Sequence, residues 1–461
     1  MTSLFDPMRA SGLTCLRIQY EFRKDRVTLC ASREWGDVDW AAYGRDFSVE
    51  TTLCTDGRFL DHAATLELYR DSGLQPHLDT VIAMMRAGRH ERVECWLHPG
   101  RDTRFFNNVH SSVVGLGNGY QCIRSGGIRR HEPAEDELDI VFDGLNLSRG
   151  MSFKNVAAGV PFGGCKSIVV CPPVDLEDND TLGFIAYCID RTRSFTGPDM
   201  GLSPALADVM NERFSPNFGG GYKGGVGPSG KPTACGNYLA LKVACEHVYG
   251  SPSLAGRTAV VMGLGSVGRA LAEYLLEGGA GLVVSDVEPG AVTALLVDHP
   301  VSSGADIRVV APEAILLQEA DIFAPCALGG VFTEENIPRL RYRIIMGSAN
   351  NTLRASSQEE EIRLARLMQE RGILYLVEWV QNVGGVMSGI ETYLNRQSAD
   401  MASVDRDLEG RVPAMTRLYL ETAAQEGITP TEVAYRTVET RIYGRPQPAD
   451  KGGSESRQLL G

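Results

Sequence analysis

Two lysines stand twelve positions apart in the run Met151-Ser-Phe-Lys154-Asn-Val-Ala-Ala-Gly159-Val-Pro-Phe-Gly163-Gly164-Cys165-Lys166-Ser-Ile-Val-Val170. Lys166 lies just past a Gly-Gly pair and leads into an apolar strand. Backbone free of side chains can close around an ammonium, strip its water and lower its pKa, which makes a lysine usable as a base near neutral pH. A lone Gly-Gly-x-Lys is more often a solvated turn. The second lysine and the features downstream reverse that reading. Asp199-Met-Gly201 and Asn382-Val-Gly-Gly-Val386 add a carboxylate and an amide. Alone, Asp199 after a proline could cap a helix, and Asn382 before Gly-Gly could be a turn residue.

A second constellation has the form of a nucleotide site. Thr258-Ala-Val-Val-Met262 is short and continuously apolar, suited to a strand buried on both faces. Gly263-Leu-Gly265-Ser266-Val267-Gly268 follows at once, and Ala270, Leu271, Tyr274 and Leu275 recur at helical spacing until Gly278-Gly279. In this setting the first glycine permits a tight turn, the second lets a pyrophosphate approach the backbone, and the third lets helix and strand pack closely. The helix N-terminus supplies partial positive charge for the phosphates. Asp286 ends the next apolar strand, 18 residues beyond Gly268. A carboxylate there can bond a ribose 2′-hydroxyl and would repel a 2′-phosphate, and Val287-Glu288-Pro289 offers no arginine. The expected cofactor is therefore NAD, in preference to NADP. Gly225-Val-Gly-Pro-Ser-Gly230-Lys231 imitates a phosphate-binding loop, but Pro232 stands where a magnesium-binding hydroxyl is needed, so the segment reads as a hinge.

The elements that must hold these groups divide the chain. Strand-like runs at 307–310, 322–324 and 344–346 alternate with helical or loop segments, which predicts a doubly wound parallel sheet over residues 231–400. Residues 1–230 mix strand-like runs at 16–20 and 27–31 with an acidic helix near 135–148, which predicts a separate α+β domain. The glycine- and proline-rich stretch 217–232 is the natural hinge. Residues 401–445 read as helices returning to the first domain. A helical pattern covers 408–426, and Thr429-Pro430-Thr-Glu432 opens another helix. Residues 446–461 read as a flexible tail. The fold class is α/β, in two domains.

With 461 residues, 43% hydrophobic and 22% charged, the chain has the composition of a soluble globular protein. Its 45 basic and 58 acidic residues give −13, which argues against nucleic acid and anionic membrane surfaces as partners. No apolar run approaches membrane-spanning length, and Met-Thr-Ser-Leu-Phe-Asp-Pro-Met-Arg does not read as a signal peptide. Eleven cysteines are scattered singly with no Cys-x-x-Cys, and the eight histidines form no His-x-x-x-His pair. The cysteines read as mostly buried or inert thiols in a reducing cytoplasm, and no metal is indicated.

Together these blocks resemble the leucine/phenylalanine/valine/glutamate dehydrogenase family, its leucine and valine branch most of all. The resemblance runs through Ser148-Arg-Gly-Met-Ser-Phe-Lys154-Asn, Gly163-Gly164-Cys-Lys166, Asp199-Met-Gly201 and Pro232-Thr-Ala-x-Gly236. It continues through the glycine fingerprint, Ala324-Pro-Cys-Ala-Leu-Gly329, Gly347-Ser-Ala-Asn350-Asn351 and Asn382-Val-Gly-Gly-Val386. It implies reversible oxidative deamination of an L-amino acid to a 2-oxo acid and ammonia, with hydride passing to NAD. Lys166 would activate the attacking water and stabilise the carbinolamine oxygen, and Asp199 would exchange protons with the leaving amine. Lys154 would pair with the substrate carboxylate, assisted by Asn382. Ser125, Gly126, Gly127, Val386 and Gly389 would surround the substrate. Thr233, Gly263, Gly265, Ser266, Val267, Gly268, Asp286, Ala324, Cys326, Ala349, Asn350 and Asn382 would surround the cofactor. Closure of the cleft between domains would expel water before hydride transfer. The expected assembly is a homo-oligomer, dimer or higher.

The chain departs from the family pattern in three places. Residues 32–109, with Trp35, Trp40 and Trp96, read as an insertion between the N-terminal strands. In Arg124-Ser125-Gly126-Gly127-Ile128-Arg129, serine holds a position that is apolar in branched-chain enzymes and lysine in glutamate enzymes, and Arg124 reads as solvent-facing. Gly389 stands where branched-chain enzymes have valine, which should enlarge the pocket toward a bulky or aromatic side chain. The sequence leaves two alternatives open: an NAD(P)-dependent reductase of another 2-oxo acid or imine, and a non-catalytic nucleotide-binding regulator. Retention of Lys154, Lys166, Asp199 and Asn382 together argues against the regulator.

Overall fold

The computed structural model describes residues 2–36, 38–44, 57–98, 100–112, 124–160, 162–300, 304, 306–355 and 357–444. The first domain is built on one mixed sheet. Its strands are β1 (Cys15–Glu21), β2 (Arg26–Ser32), β3 (Phe59–Leu60), β4 (Arg92–His98) and β5 (Thr103–Ser111), then β6 (Arg124–Ser125), β7 (Ile128–His131), β8 (Gly163–Val170) and β9 (Ser194–Phe195). They lie in the order β3-β2-β1-β4-β5-β8-β6-β9, and β7 continues β6 along the same edge of β8.

The antiparallel hairpin β4–β5 joins β1 to β8 and forms the middle of the sheet. The stretch read as an insertion, 32–109, thus supplies strands in the middle of the sheet. Both strands are buried along almost their whole length, and a strand buried on both faces shows no alternation to betray it. The tryptophans are core, not decoration. Trp35 and Trp40 pack on Phe184 of the helix Asn179–Thr192, with ring centroids 6.1 and 5.3 Å away, and Trp96 is buried in the same cluster. Two helices from this stretch, His62–Asp71 and Gln75–Ala87, lay Tyr69, Leu78 and Val81 into the other core with Leu16 and Ile18 of β1.

The acidic helix runs Glu137–Ala157, beyond its expected end, and so carries Lys154 itself. Asp136 caps it by accepting from the Leu138 and Asp139 N–H groups, and Glu137 and Asp139 add charge that suits the helix dipole. A side chain at Gly164 would collide with the Ser152 backbone, so glycine lets this helix lie directly on β8.

The second domain has six parallel strands: β10 (Thr258–Met262), β11 (Gly281–Ser285), β12 (Ile307–Val309), β13 (Ile322–Pro325), β14 (Ile344–Ile345) and β15 (Leu374–Tyr375). Their order, β12-β11-β10-β13-β14-β15, is that of a doubly wound sheet, with its ligand crevice where the order reverses beside β10. β15 was not expected from the sequence, although Ile373-Leu-Tyr-Leu-Val377 is as apolar as the run at 344–346. The helix Gly230–Tyr249 begins inside the expected hinge. Met401–Glu426 packs against it, and Pro430–Tyr443, opened by a capping box between Thr429 and Glu432, returns to the first domain. There Tyr435 meets Phe153 at 5.7 Å, and the Tyr443 hydroxyl lies 2.7 Å from His110 Nε2. The expected tail at 446–461 lies outside the described residues. Among the described residues no helix is long and apolar enough to cross a membrane.

Candidate active site

Lys166 is the fourth residue of β8, so it belongs to a strand and not to a turn. Three neighbouring segments meet beside it. The Gly127 carbonyl accepts the Ser167 N–H at 3.1 Å, and the Ile128 carbonyl accepts the Asp199 N–H at 3.0 Å. Lys166, only 5% exposed, therefore reaches across Gly127 and forms an ion pair with Asp199. A Cβ on Gly127 would lie 2.9 Å from Lys166 Nζ and 3.4 Å from Asp199 Cβ, so a side chain there would displace the pair. At Gly126 a Cβ would collide with the Cys165 carbonyl. Cys165 itself turns away, its Sγ 3.3 Å from Ser194 Oγ. Burial by itself raises the Asp199 carboxyl, but Lys166 and Arg129 outweigh it and hold that carboxyl well below its usual range.

Lys154 sits half-buried on the helix, and its Nζ donates to Asn350 Oδ1 at 2.9 Å. Asn382 Nδ2 donates to the same oxygen at 3.1 Å, and to the Ser348 carbonyl at 3.1 Å. Two donors from different domains thus converge on one acceptor in the cleft, as they would on a carboxylate oxygen. Burial pushes the Lys154 ammonium down to about 8, against the pull of the Glu378 carboxylate. Glu378 is itself buried, and burial with the nearby Glu361 raises its carboxyl to about 7. Its Oε1 accepts the Asn351 N–H at 2.5 Å, which pins the Asn350-Asn351 turn.

Aromatic side chains gather near these groups. Ser125 is buried, with its hydroxyl 3.1 Å from Asn155 Oδ1, and it pairs in register with Phe195. Val386, Gly389 and Tyr393 fall on one face of the helix Gly384–Asn395 by their spacing. A Cβ on Gly389 would lie 3.7 Å from Phe195 Cε1. Tyr393 meets Phe195 at 5.2 Å and Phe162 at 5.7 Å between centroids. Arg124 is a correction: it is 7% exposed, donating to the Thr192 carbonyl and to Ser112 Oγ at 3.0 Å, so it is held within the fold instead of facing solvent.

The glycine fingerprint has three different local reasons. Gly263 has φ +94°, in the left-handed region, and a Cβ there would press on Ala327 Cβ at 2.9 Å. Gly265 faces open space, at the N-cap of the helix Ser266–Glu277. A Cβ on Gly268 would collide with the Gly263 carbonyl. Ser266 is exposed and Val267 half-buried in the first helical turn. Asp286 follows β11, its carboxylate accepting the Leu264 N–H at 2.5 Å and the Glu288 N–H at 2.8 Å. The open backbone cradle over a helix N-terminus, with an anchored carboxylate beside it, fits a dinucleotide.

Thr233 donates to the Ser229 carbonyl at 2.7 Å and lies under Gly385, bracing the Asn382 loop. Cys326 is half-buried, Ala349 buried and Asn350 exposed at the cleft. Ala324 is fully buried in β13, beside Val261 of β10. Its short side chain belongs to the sheet core, so any contact it makes with a cofactor would come from its backbone. Among the described residues no cluster of His, Cys, Asp or Glu could hold a metal ion.

Several residues of the site were given no role from sequence. Arg129 stood in the Gly-Gly-x-Arg motif, and alternation along β7 would have put it on the same side as Gly127. Asp143 lies eleven residues before Lys154, three helical turns, and therefore on the same face. Glu378, Phe195 and Tyr393 carried no local signal.

A model of the Glutamate/Leucine/Phenylalanine/Valine dehydrogenase family matches residues 224–444, and one for the Glu/Leu/Phe/Val dehydrogenase dimerisation domain matches residues 118–215. A valine dehydrogenase of Streptomyces albus is 31% identical over 361 residues, 77% of this chain and 93% of the relative. A phenylalanine dehydrogenase of Lysinibacillus sphaericus is 34% identical over 267 residues, 57% of this chain and 68% of the relative. The crystal structure of an L-tryptophan dehydrogenase from Nostoc punctiforme superposes with a TM-score of 0.60 at 27% identity, covering 79% of this chain and 98% of that one. On these matches, together with the two-domain α/β fold and its pyridine-nucleotide domain, the chain belongs to the Glu/Leu/Phe/Val family of amino acid dehydrogenases.

Proposed function

We propose that this enzyme oxidatively deaminates an L-amino acid with a bulky apolar or aromatic side chain, using NAD, through Lys166 and Asp199. The observation that carries this reading is the ion pair between the buried Lys166 and the half-buried Asp199, facing one another across Gly127. The aromatic pair of Phe195 and Tyr393 near Gly389 supports the substrate class, as do relatives that act on valine, phenylalanine and tryptophan. Asp286, held beside the fingerprint with no neighbouring arginine in sequence, supports NAD over NADP. The dimerisation-domain match supports a homo-oligomer, and the free thiols of the described cysteines support a reducing cytoplasm.

The residues around the glycine fingerprint would hold a nicotinamide cofactor, which would supply the acceptor for the hydride of the substrate Cα. Lys154 and Asn382 hold the substrate carboxylate and so orient Cα toward the cleft. Lys166 takes a proton from the water that adds to the imine carbon, and as an ammonium it then stabilises the developing oxygen charge. Asp199 relays to the amine nitrogen the proton that Lys166 took from the water, so that the C–N bond breaks with ammonia leaving, and Lys166 takes up the hydroxyl proton as the 2-oxo acid forms. The domains exclude bulk water around these transfers. The test follows NADH and NADPH formation at alkaline pH with each of the twenty L-amino acids, alongside Lys166→Ala. If no amino acid yields reduced cofactor, or Lys166→Ala matches wild type, the reading is wrong. Faster reduction of NADP than of NAD overturns the cofactor assignment alone.

A further inference from the structure

Asp199 does not rest on Lys166 alone. Arg129 Nη2 donates to the same Asp199 Oδ2 at 3.2 Å, and the Met200 N–H donates to Oδ1 at 2.8 Å. Arg129 Nη1 makes bonds of 3.0 and 2.9 Å to both oxygens of Asp143, on the helix Glu137–Ala157. Asp143 Oδ2 lies 3.3 Å from His131 Nε2, and His131 Nδ1 lies 2.7 Å from Glu135 Oε2. Arg129 and His131 alternate along β7, so they share one face of the sheet. The groups form a line of alternating sign from the buried lysine to an exposed glutamate, provided His131 is charged. Burial works against that charge, and Asp143 and Glu135 outweigh it. On the neighbouring register position of β7, Arg130 faces Glu132 instead, at 2.7 Å.

We propose that Arg129 is a positioning residue for the Lys166–Asp199 pair: it stays as the counter-charge of Asp199 when Lys166 gives up its proton, and Asp143 with His131 fixes it in place. The inference rests on the reading of Lys166 as the base. Loss of the Lys166 proton would otherwise leave the half-buried Asp199 carboxylate without a cation, which disfavours that loss. With Arg129 present, Asp199 remains paired throughout the proton transfer. A lysine cannot replace it fully, because only a guanidinium can bridge Asp143 and Asp199 in one plane.

The test compares wild type, Arg129→Met and Arg129→Lys, with Lys166→Ala as reference, using the best amino acid substrate and saturating NAD. Removing the cation makes the Lys166 proton harder to release. In Arg129→Met the acid limb of the kcat/KM profile should therefore move up by about one pH unit or more. We expect kcat to fall about 10–100-fold, within the range of acid–base contributions, with NADH affinity unchanged. Arg129→Lys should return the limb toward its wild-type position without restoring full kcat. Should Arg129→Met not fold, Arg129→Gln, which keeps hydrogen bonds but no charge, is measured in its place. If Lys166→Ala is as active as wild type, the reading of the base falls. A Lys166-dependent rate whose acid limb ignores loss of the Arg129 charge overturns this proposal alone.

Discussion

Gly389→Val restores the side chain that branched-chain enzymes carry at this position, and its effect follows from the space opposite Phe195. The added Cβ would already touch Phe195 Cε1 at 3.7 Å, an ordinary contact that needs no rearrangement. The two further methyl groups reach beyond that contact, into the space the substrate side chain is proposed to occupy. Excluding a single methylene from a pocket changes kcat/KM by about 10–200-fold, roughly 1–3 kcal/mol. A phenyl ring that meets two new methyls should lose at least that much, whereas a valine side chain should keep its rate or gain from the added contact. Folding is not at stake, because glycine is the less favourable residue in a helix interior and Gly389 lies within Gly384–Asn395. The assay is kcat/KM for phenylalanine and for valine in both enzymes, with Tm recorded for each. We expect the phenylalanine-to-valine ratio to fall by about 10-fold or more. An unchanged ratio, or equal losses on both substrates, would show that Gly389 does not face the substrate side chain.

Two other perturbations test separate parts of the site. Burial holds Lys154 down to about 8, so the free enzyme has lost much of this charge by mildly alkaline pH. Binding a carboxylate restores it, so amino acid binding near pH 8 takes up a fraction of a proton, and KM rises as the pH climbs further. Isothermal titration in buffers of different ionisation enthalpy measures the uptake; the same uptake in Lys154→Gln would discard this account. In the free enzyme the sign of the linkage is opposite to that of an ion-paired lysine. Fewer protons are bound folded than unfolded above about pH 8, so stability rises with pH through that window. Gly265→Ala and Gly268→Ala should separate binding from folding. The first adds a methyl group to open space and should weaken NADH binding at an unchanged Tm, whereas the second collides with the Gly263 carbonyl and should lower Tm. Equal Tm losses in the two would remove the distinction drawn between these glycines.

The sequence by itself determined whatever local backbone geometry dictates. A strand, three glycines at set spacing, a helix and an acid are one covalently continuous unit, so the cofactor cradle could be read directly. The capping box at Thr429 and Glu432 was legible for the same reason. The lysines were legible because their neighbours are small: Gly164 admits the helix, and Gly127 admits the lysine. Tertiary structure decided what depends on distant segments meeting. Lys166 finds Asp199 from 33 residues away, and β4 and β5 reveal themselves as central strands only once β1 and β8 flank them. Chain order also could not say which groups surround each lysine. Lys154 is pressed down by burial in the cleft between domains, whereas Lys166 lies against Asp199, which Arg129 also holds. Charge state follows from the groups that surround a side chain in space, and those groups come from four separate parts of the chain.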